Sequence, residues 1–241
     1  MNKNIEVISL IFKSVSYLNF IYDQLKSVEA VGWDVGIRIV ANDADKKVLE
    51  TLSKLDINYS IYNDRNIKDY YLNRVYRCWN YSGITSKYDN ICFVNSDMAF
   101  SNDWLTNLLK HHDGNSIPCS RLVESAKMPS GSHGIPKNLG QHVKHIDLVK
   151  WKHYANEIKV NEVHDGGLYM PCVFEKSRFV ESGMYPEGNI YNGGIGKHSS
   201  EFIQSGDDWY FKKLDKEYGM KHITVFDSLV YHIQEGEKDS V

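Results

Sequence analysis

Asn90-Ile91-Cys92-Phe93-Val94-Asn95 is the stretch on which the fold turns. It is almost wholly apolar and gives way at once to Ser96-Asp97. A strand that is apolar on both faces belongs at the centre of a parallel sheet covered by helices on each side. Upstream, the chain repeats the pattern such a sheet requires. Ile5 to Phe12 reads as a buried strand, and Ser16 opens a helix with Leu18, Ile21 and Leu25 on its apolar face and Val28 on the next turn. Val35 to Ala41 is a second strand, followed by a helix from about Asp45 to Leu55, and Ile57 to Tyr62 is a third strand. Leu72, Val75, Tyr76 and Trp79 then recur at helical spacing. This βα alternation predicts an open, mostly parallel sheet.

Downstream, Ala99 to Leu105 reads as a short strand and the start of a helix. The stretches Asp113 to Gly140 and Pro186 to Ser200 are rich in Gly, Pro, Ser or Asn and read as long loops. The second is expected to act as a lid. Between them lie a strand at Leu168 to Phe174 and a short helix around Ser177 to Ser182. A helix from about Asp207 to Glu217 and a last strand, Ile223 to Val230, follow. One domain over 1–241 is expected, about 1–100 forming one half and about 101–241 the other, with no linker between them.

The 241 residues suffice for one large core, and 42% hydrophobic with 24% charged residues is a globular balance. A formal net charge of −3 supports no nucleic-acid or anionic-membrane partner. Cys78, Cys92, Cys119 and Cys172 form no CxxC pair, which suits a reducing compartment rather than a disulfide framework or zinc knuckle. The polar start and the lack of any apolar run near ~20 residues predict a cytoplasmic protein without a transmembrane segment.

In an open α/β sheet, ligands bind beyond the carboxyl ends of the strands. That draws attention to Phe12-Lys13, Asn42-Asp43-Ala44-Asp45, Asn63-Asp64 and Asn95-Ser96-Asp97. Here the chain resembles the family 2 glycosyltransferases with their GT-A fold, a single Rossmann-like domain with a mostly parallel central sheet and helices on both faces. The resemblance rests on an ordered set from Ile5 to His232. Asn95-Ser96-Asp97 stands at the DxD-type metal motif, with an amide for the first carboxylate, and Trp104-Leu105 opens the helix after it. Asn80-Tyr81-Ser82-Gly83 lies at the helix-to-strand turn upstream. Met170 to Tyr185 resembles a strand and helix ending in Gly-x-Phe, here Gly183-Met184-Tyr185. Gly206-Asp207-Asp208-Trp209 matches the acidic pair that opens a helix, and Val230-Tyr231-His232 matches the late strand ending in histidine. The departures are Phe12-Lys13-Ser14 at the end of the first strand and Asn42-Asp43-Ala44-Asp45 at the end of the second, which leave the nucleobase contact open among Asn42, Asp43 and Asp45.

The resemblance implies an inverting transfer of a sugar from a UDP-, GDP- or dTDP-linked donor to a hydroxyl of a glycan or glycolipid. Asp97 and His232 would hold Mn²⁺ or Mg²⁺. Phe12, Asn42, Asp43, Asp45, Asn80, Asn95, Ser96 and Asp97 would face the donor, and Trp209 and Tyr185 the acceptor. Asp208 would be the general base, with Asp207 beside it. Elementary chemistry suits these roles: a leaving diphosphate needs its charge neutralised, and an attacking hydroxyl needs a base. Taken singly, the same residues have plainer readings. An Asp-Asp pair before a helix is most often a cap and a charge compensating the helix dipole. His111-His112 and His142…His145 read as solvated, and Arg74 and Arg77 as exposed salt bridges. The competing functions are a nucleotidyltransferase, which would favour a Gly-rich basic loop after the first strand, and a non-catalytic sugar- or nucleotide-binding module.

Overall fold

A computed structural model describes residues 3–237. The elements run β1 (Asn4–Ile11), α1 (Val15–Leu25), β2 (Asp34–Asn42), α2 (Lys46–Leu52), β3 (Asn58–Tyr62), α3 (Tyr71–Thr85) and β4 (Asn90–Val94). They continue β5 (Met98–Phe100), α4 (Trp104–Leu109), β6 (Ser116–Glu124), β7 (Ile135–Pro136), α5 (Leu148–Ile158), β8 (Val163–Asp165), β9 (Cys172–Glu175) and α6 (Lys176–Glu181). The chain ends β10 (Ile190–Tyr191), β11 (Gly194–Ile195), β12 (Phe202–Gln204), α7 (Gly206–Tyr218) and β13 (Lys221–His232).

The main sheet has the order β3-β2-β1-β4-β9-β6-β13-β5. β1 to β4 are mutually parallel, β9 runs antiparallel to both β4 and β6, and β13 is parallel to β6. The sheet is therefore mostly parallel, as its apolar centre requires. Alternate residues face opposite layers. Ile39, Ala41, Cys92 and Val94 pack under α1, α2 and α4, while Val40, Ile91 and Phe93 pack under α3, α6 and α7. Helices thus cover both faces. Ser14, not Ser16, caps α1, its side chain accepting from the N–H of Tyr17. Asp45 caps α2 and Ser205 caps α7 in the same way. All four cysteines are buried and free. Among the described residues, no helix is long and apolar enough to cross a membrane.

Two expectations are corrected. The stretch Asp113 to Gly140 is not one loop, because it contains β6, a nine-residue strand at the heart of the sheet. Pro118 and the serines around it mask a strand whose ladder runs along β13, while its pairing to β9 is confined to Cys119↔Cys172. The stretch Pro186 to Ser200 is not wholly loop either, because it carries the short strands β10 and β11, which join β12 in a small antiparallel sheet. Gly196 O of that sheet accepts from the Asn73 side chain on α3, and Glu187 pairs with Arg65. Helix α5 arises where no element is expected, and buries Trp151 and Ala155. The strand expected from Leu168 begins only at Cys172, after a cis Met170–Pro171 bond.

Candidate active site

The carboxyl ends of β1, β2 and β4 open into a cleft of ≈ 530 Å³. Its lining includes Phe12, Lys13 and Asn42, then Tyr71, Arg74 and Trp79 of α3, and Asn95, Ser96, Asp97 and His232. Glu235, Gly236 and Glu237 line it too. Six of the expected donor-side and metal residues therefore meet in one place.

Asp97 and His232 lie on strands that are not neighbours in the sheet, since β9 and β6 stand between β4 and β13. The junction is made instead by β5, which begins directly after Asp97 and pairs antiparallel with β13 through His232↔Met98. The Ile233 N–H donates to the Asp97 carbonyl at 3.0 Å and locks the register. As a result Asp97 Oδ2 lies 3.3 Å from His232 Nε2, and Glu124 Oε1 lies 3.4 Å from Nδ1. Asp97 is 3% exposed and Glu124 4%. Burial works against charge on all three groups, but their mutual attraction outweighs it. Asp97 is held below the usual carboxylate range by the imidazolium, Glu124 likewise, and His232 is pushed up to about 10 by its two acidic neighbours.

This arrangement fits a divalent cation. Two ligands on adjacent positions around an ion at about 2.1 Å stand roughly 3 Å apart, close to the separation of Asp97 Oδ2 and His232 Nε2. A carboxylate behind the far imidazole nitrogen, as Glu124 provides, fixes the tautomer and orientation of a metal-bound histidine. Among the described residues, no group of three or more His, Cys, Asp and Glu side chains is placed to hold a metal ion, so Asp97 and His232 are the two side chains that would hold one here. Glu124 escaped notice in the sequence because it ends a strand that reads as loop.

The other expected residues divide. Asn42 is 4% exposed, faces the cleft, and its Oδ1 has no partner. Asp43, with φ of 49°, turns away: its carboxylate takes Arg74 Nη1 at 2.7 Å and the Asp64 N–H at 2.7 Å. Asp45 is the α2 cap, outside the cleft. Asn80 also lies outside it, where its amide clasps the backbone of Tyr185 from both ends at 2.8 and 3.1 Å. Tyr185 is 2% exposed among Phe93, Phe174 and Tyr210, so its ring is core rather than an acceptor platform. Arg77 is buried rather than exposed, with Asp64 and Asp69 around its guanidinium. His112 is buried too, bonded through Nε2 to Asn90.

The acidic pair heads α7 outside this cleft. Asp208 Oδ1 accepts from the Tyr169 hydroxyl at 2.6 Å, and Oδ2 from Gln204 at 2.7 Å and Lys212 at 2.8 Å. Burial opposes ionisation, but these donors outweigh it and hold Asp208 below the usual carboxylate range. Burial pushes Asp207 the other way, up. Trp209 is half-buried, with Lys213 over its ring.

No protein-family model matches the sequence, and no curated protein matches it. The fold does have solved counterparts. GalNAc-T7 with UDP, GalNAc and Mn²⁺ superposes with a TM-score of 0.60 at 12% identity, over 96% of this chain and 44% of that one. The mannosyltransferase PcManGT from Pyrobaculum calidifontis, in complex with GDP-Man and Mn²⁺, gives 0.58 at 11%, over 98% and 59%. TarS of S. aureus gives 0.58 at 11%, over 96% and 36%. This chain spans less than two thirds of each of these counterparts, and the likeness is one of architecture: its sheet and helices have the GT-A glycosyltransferase fold.

Proposed function

We propose that this protein is a metal-dependent glycosyltransferase that takes a sugar from a nucleoside diphosphate donor. The observation that carries the reading is the Asp97–His232 pair lining a cleft at the carboxyl edge of a GT-A sheet, with Glu124 behind the imidazole. Two of the fold counterparts, GalNAc-T7 and PcManGT, hold UDP or GDP-Man together with Mn²⁺, which supports the same class of ligand here. Bound between Asp97 and His232, Mn²⁺ would neutralise the charge that develops on the leaving diphosphate. Phe12 and Asn42 suit the nucleobase, the free Oδ1 of Asn42 accepting a base N–H. Asn95 and Ser96 sit beside the metal position, within the same cleft.

Asp208 is the proposed base for the acceptor hydroxyl of a glycan or glycolipid. A base must begin ionised, and the donors around Asp208 keep it so, whereas burial favours the protonated form of Asp207. Attack opposite the diphosphate would invert the anomeric centre in one displacement, and NMR of the product reads the configuration.

The test of the central reading is calorimetry with UDP and GDP, with and without Mn²⁺. Diphosphate and metal should bind cooperatively, and Asp97→Ala or His232→Ala should weaken both. Tight, metal-independent binding that is unchanged in both variants would overturn it. Hydrolysis of a panel of nucleotide sugars, with and without Mn²⁺, separates a transferase from a nucleotidyltransferase or a binding module.

A further inference from the structure

Past His232 the chain lines the cleft as a short strap, and its backbone is unusual. Gln234, Glu235 and Gly236 have φ of 64°, 62° and 48°, three consecutive left-handed residues, two of which carry a Cβ. Such a run is sterically disfavoured and persists only where its surroundings impose it. The imposing contacts lie at its two ends. At the near end the buried Gln234 amide accepts from the N–H groups of Lys127 and Met128 at 3.0 and 3.2 Å and donates to Glu124 Oε1 at 3.2 Å. At the far end Glu237 meets the loop after β1. Its carboxylate accepts from three successive backbone N–H groups, those of Phe12 at 2.9 Å, Lys13 at 2.8 Å and Ser14 at 2.8 Å.

Successive N–H groups converging on one point make an anion-accepting concavity, and the N-terminus of the eleven-residue α1 adds its dipole. In this structure the anion in that concavity is the chain's own Glu237. Between the two ends, the Gly236 N–H donates to Asp97 Oδ2 at 3.0 Å. This is the carboxylate oxygen that faces His232. One strap thus occupies a wall of the cleft, an oxygen of the metal position and the polar backbone beside Phe12.

We infer that the strap Gln234–Glu237 is an autoinhibitory plug, with Glu237 seated on the Phe12–Ser14 backbone where it excludes the nucleoside diphosphate. The inference rests on the proposed function above. Gln234 is the hinge, because its buried side chain is anchored on Lys127, Met128 and Glu124 and stays put when Glu237 lets go. Opening releases three left-handed residues, frees Asp97 Oδ2, and removes a carboxylate from a space that must take a diphosphate of the same sign. A ligand that binds only the open form has its affinity lowered by the fraction of molecules that are open. Removing the Glu237 carboxylate should therefore tighten nucleotide binding, the reverse of what deleting a binding residue does.

The experiment is calorimetric titration of UDP and of GDP, each with Mn²⁺, into the full chain and into its Glu237→Ala and Glu237→Gln variants. Glu237→Ala is expected to bind roughly tenfold more tightly, with Glu237→Gln between it and the parent. Amide exchange at Phe12, Lys13 and Ser14 should quicken in both variants without ligand. Near-ultraviolet circular dichroism establishes that each variant is folded, and the near-isosteric Glu237→Gln carries the comparison if Glu237→Ala is not. Equal or weaker nucleotide affinity in the variants, or unchanged exchange at the three amides, overturns the plug and leaves the glycosyltransferase reading standing. If neither diphosphate binds parent or variants, the plug and the glycosyltransferase reading fall together.

Discussion

The two carboxylates at the head of α7 are adjacent in sequence and opposite in character. Asp208 is tied to Tyr169, Gln204 and Lys212 and stays ionised, while burial raises Asp207. As the proposed base, Asp208 meets the acceptor and not the diphosphate. Asp208→Asn should therefore bind donor and metal nearly as the parent does but turn over at least ~10²-fold more slowly, the usual contribution of positioned proton transfer. Asp207→Asn should lose less. Steady-state kinetics beside donor titrations decide it, and near-normal turnover of Asp208→Asn would remove the assignment. The residue types of the site were legible in the sequence: Asn42 and His232 each end a strand, and Asp97 lies in the turn after β4. Their mutual distances were not. The His232 pair with Glu124 depends on a strand, β6, whose Pro118 and serines conceal it, and no pattern marked Glu237, five residues beyond His232.

At the scale of elements, the seam between α3 and α6 shows how tightly the layers are drawn. A Cβ at Gly83 would stand 2.5 Å from Phe179 Cε1 and 3.3 Å from Ile91 Cδ1. Phe179 is fully buried against Phe93, Phe174 and Tyr185, so its ring has nowhere to withdraw. Two effects compete in Gly83→Ala. Alanine favours the helix by roughly 0.8–1 kcal/mol, whereas an extra methyl in a packed core costs typically 1–3 kcal/mol. The contact is below any normal separation, so overpacking should win. Chemical denaturation is expected to give a net loss of about 1–2 kcal/mol, and an Ala variant as stable as the parent would refute the packing argument. The helices α1, α2 and α3 were readable because their apolar positions recur every three to four residues. Helix α5 buries only Trp151 and Ala155, and that thin stripe leaves no periodic signal.

Across the whole molecule, an ionic cluster ties α3 to the segment before β10. Arg77 on α3 binds Asp64 through Nε and Nη2 at 2.7 and 3.0 Å and Asp69 at 2.9 Å, with Glu187 of the second half at 3.8 Å. Burial pushes Asp64 and Asp69 up, but their bonds to Arg77 and to nearby backbone N–H groups hold both below the usual carboxylate range. A carboxylate whose folded pKa is depressed stabilises the fold above its unfolded value, about 3.9, and the effect is lost as pH falls through the folded value. The urea midpoint should accordingly drop steeply below about pH 4. Arg77→Ala takes the cation from a fully buried Asp64 side chain, leaving it the Tyr62 hydroxyl and the Asn66 N–H, and should cost roughly 3–5 kcal/mol at neutral pH, with a flatter acid limb. An equally steep limb in the variant would show that other carboxylates govern acid unfolding.

What the sequence determined by itself was the alternation of strands and helices through β4, the apolar centre of the sheet and the strand-end polar residues. All of these are local patterns, set by side-chain periodicity within a dozen residues. Only the tertiary structure decided that β9 and β6 stand between β4 and β13, that β5 carries Asp97 to His232, and that Glu237 seats on the loop after β1. Those outcomes join residues from 53 positions apart, Cys119 with Cys172, to 225, Phe12 with Glu237. Long-range pairing of this kind is selected by the total burial and hydrogen bonding of the packed sheet, which no single segment encodes.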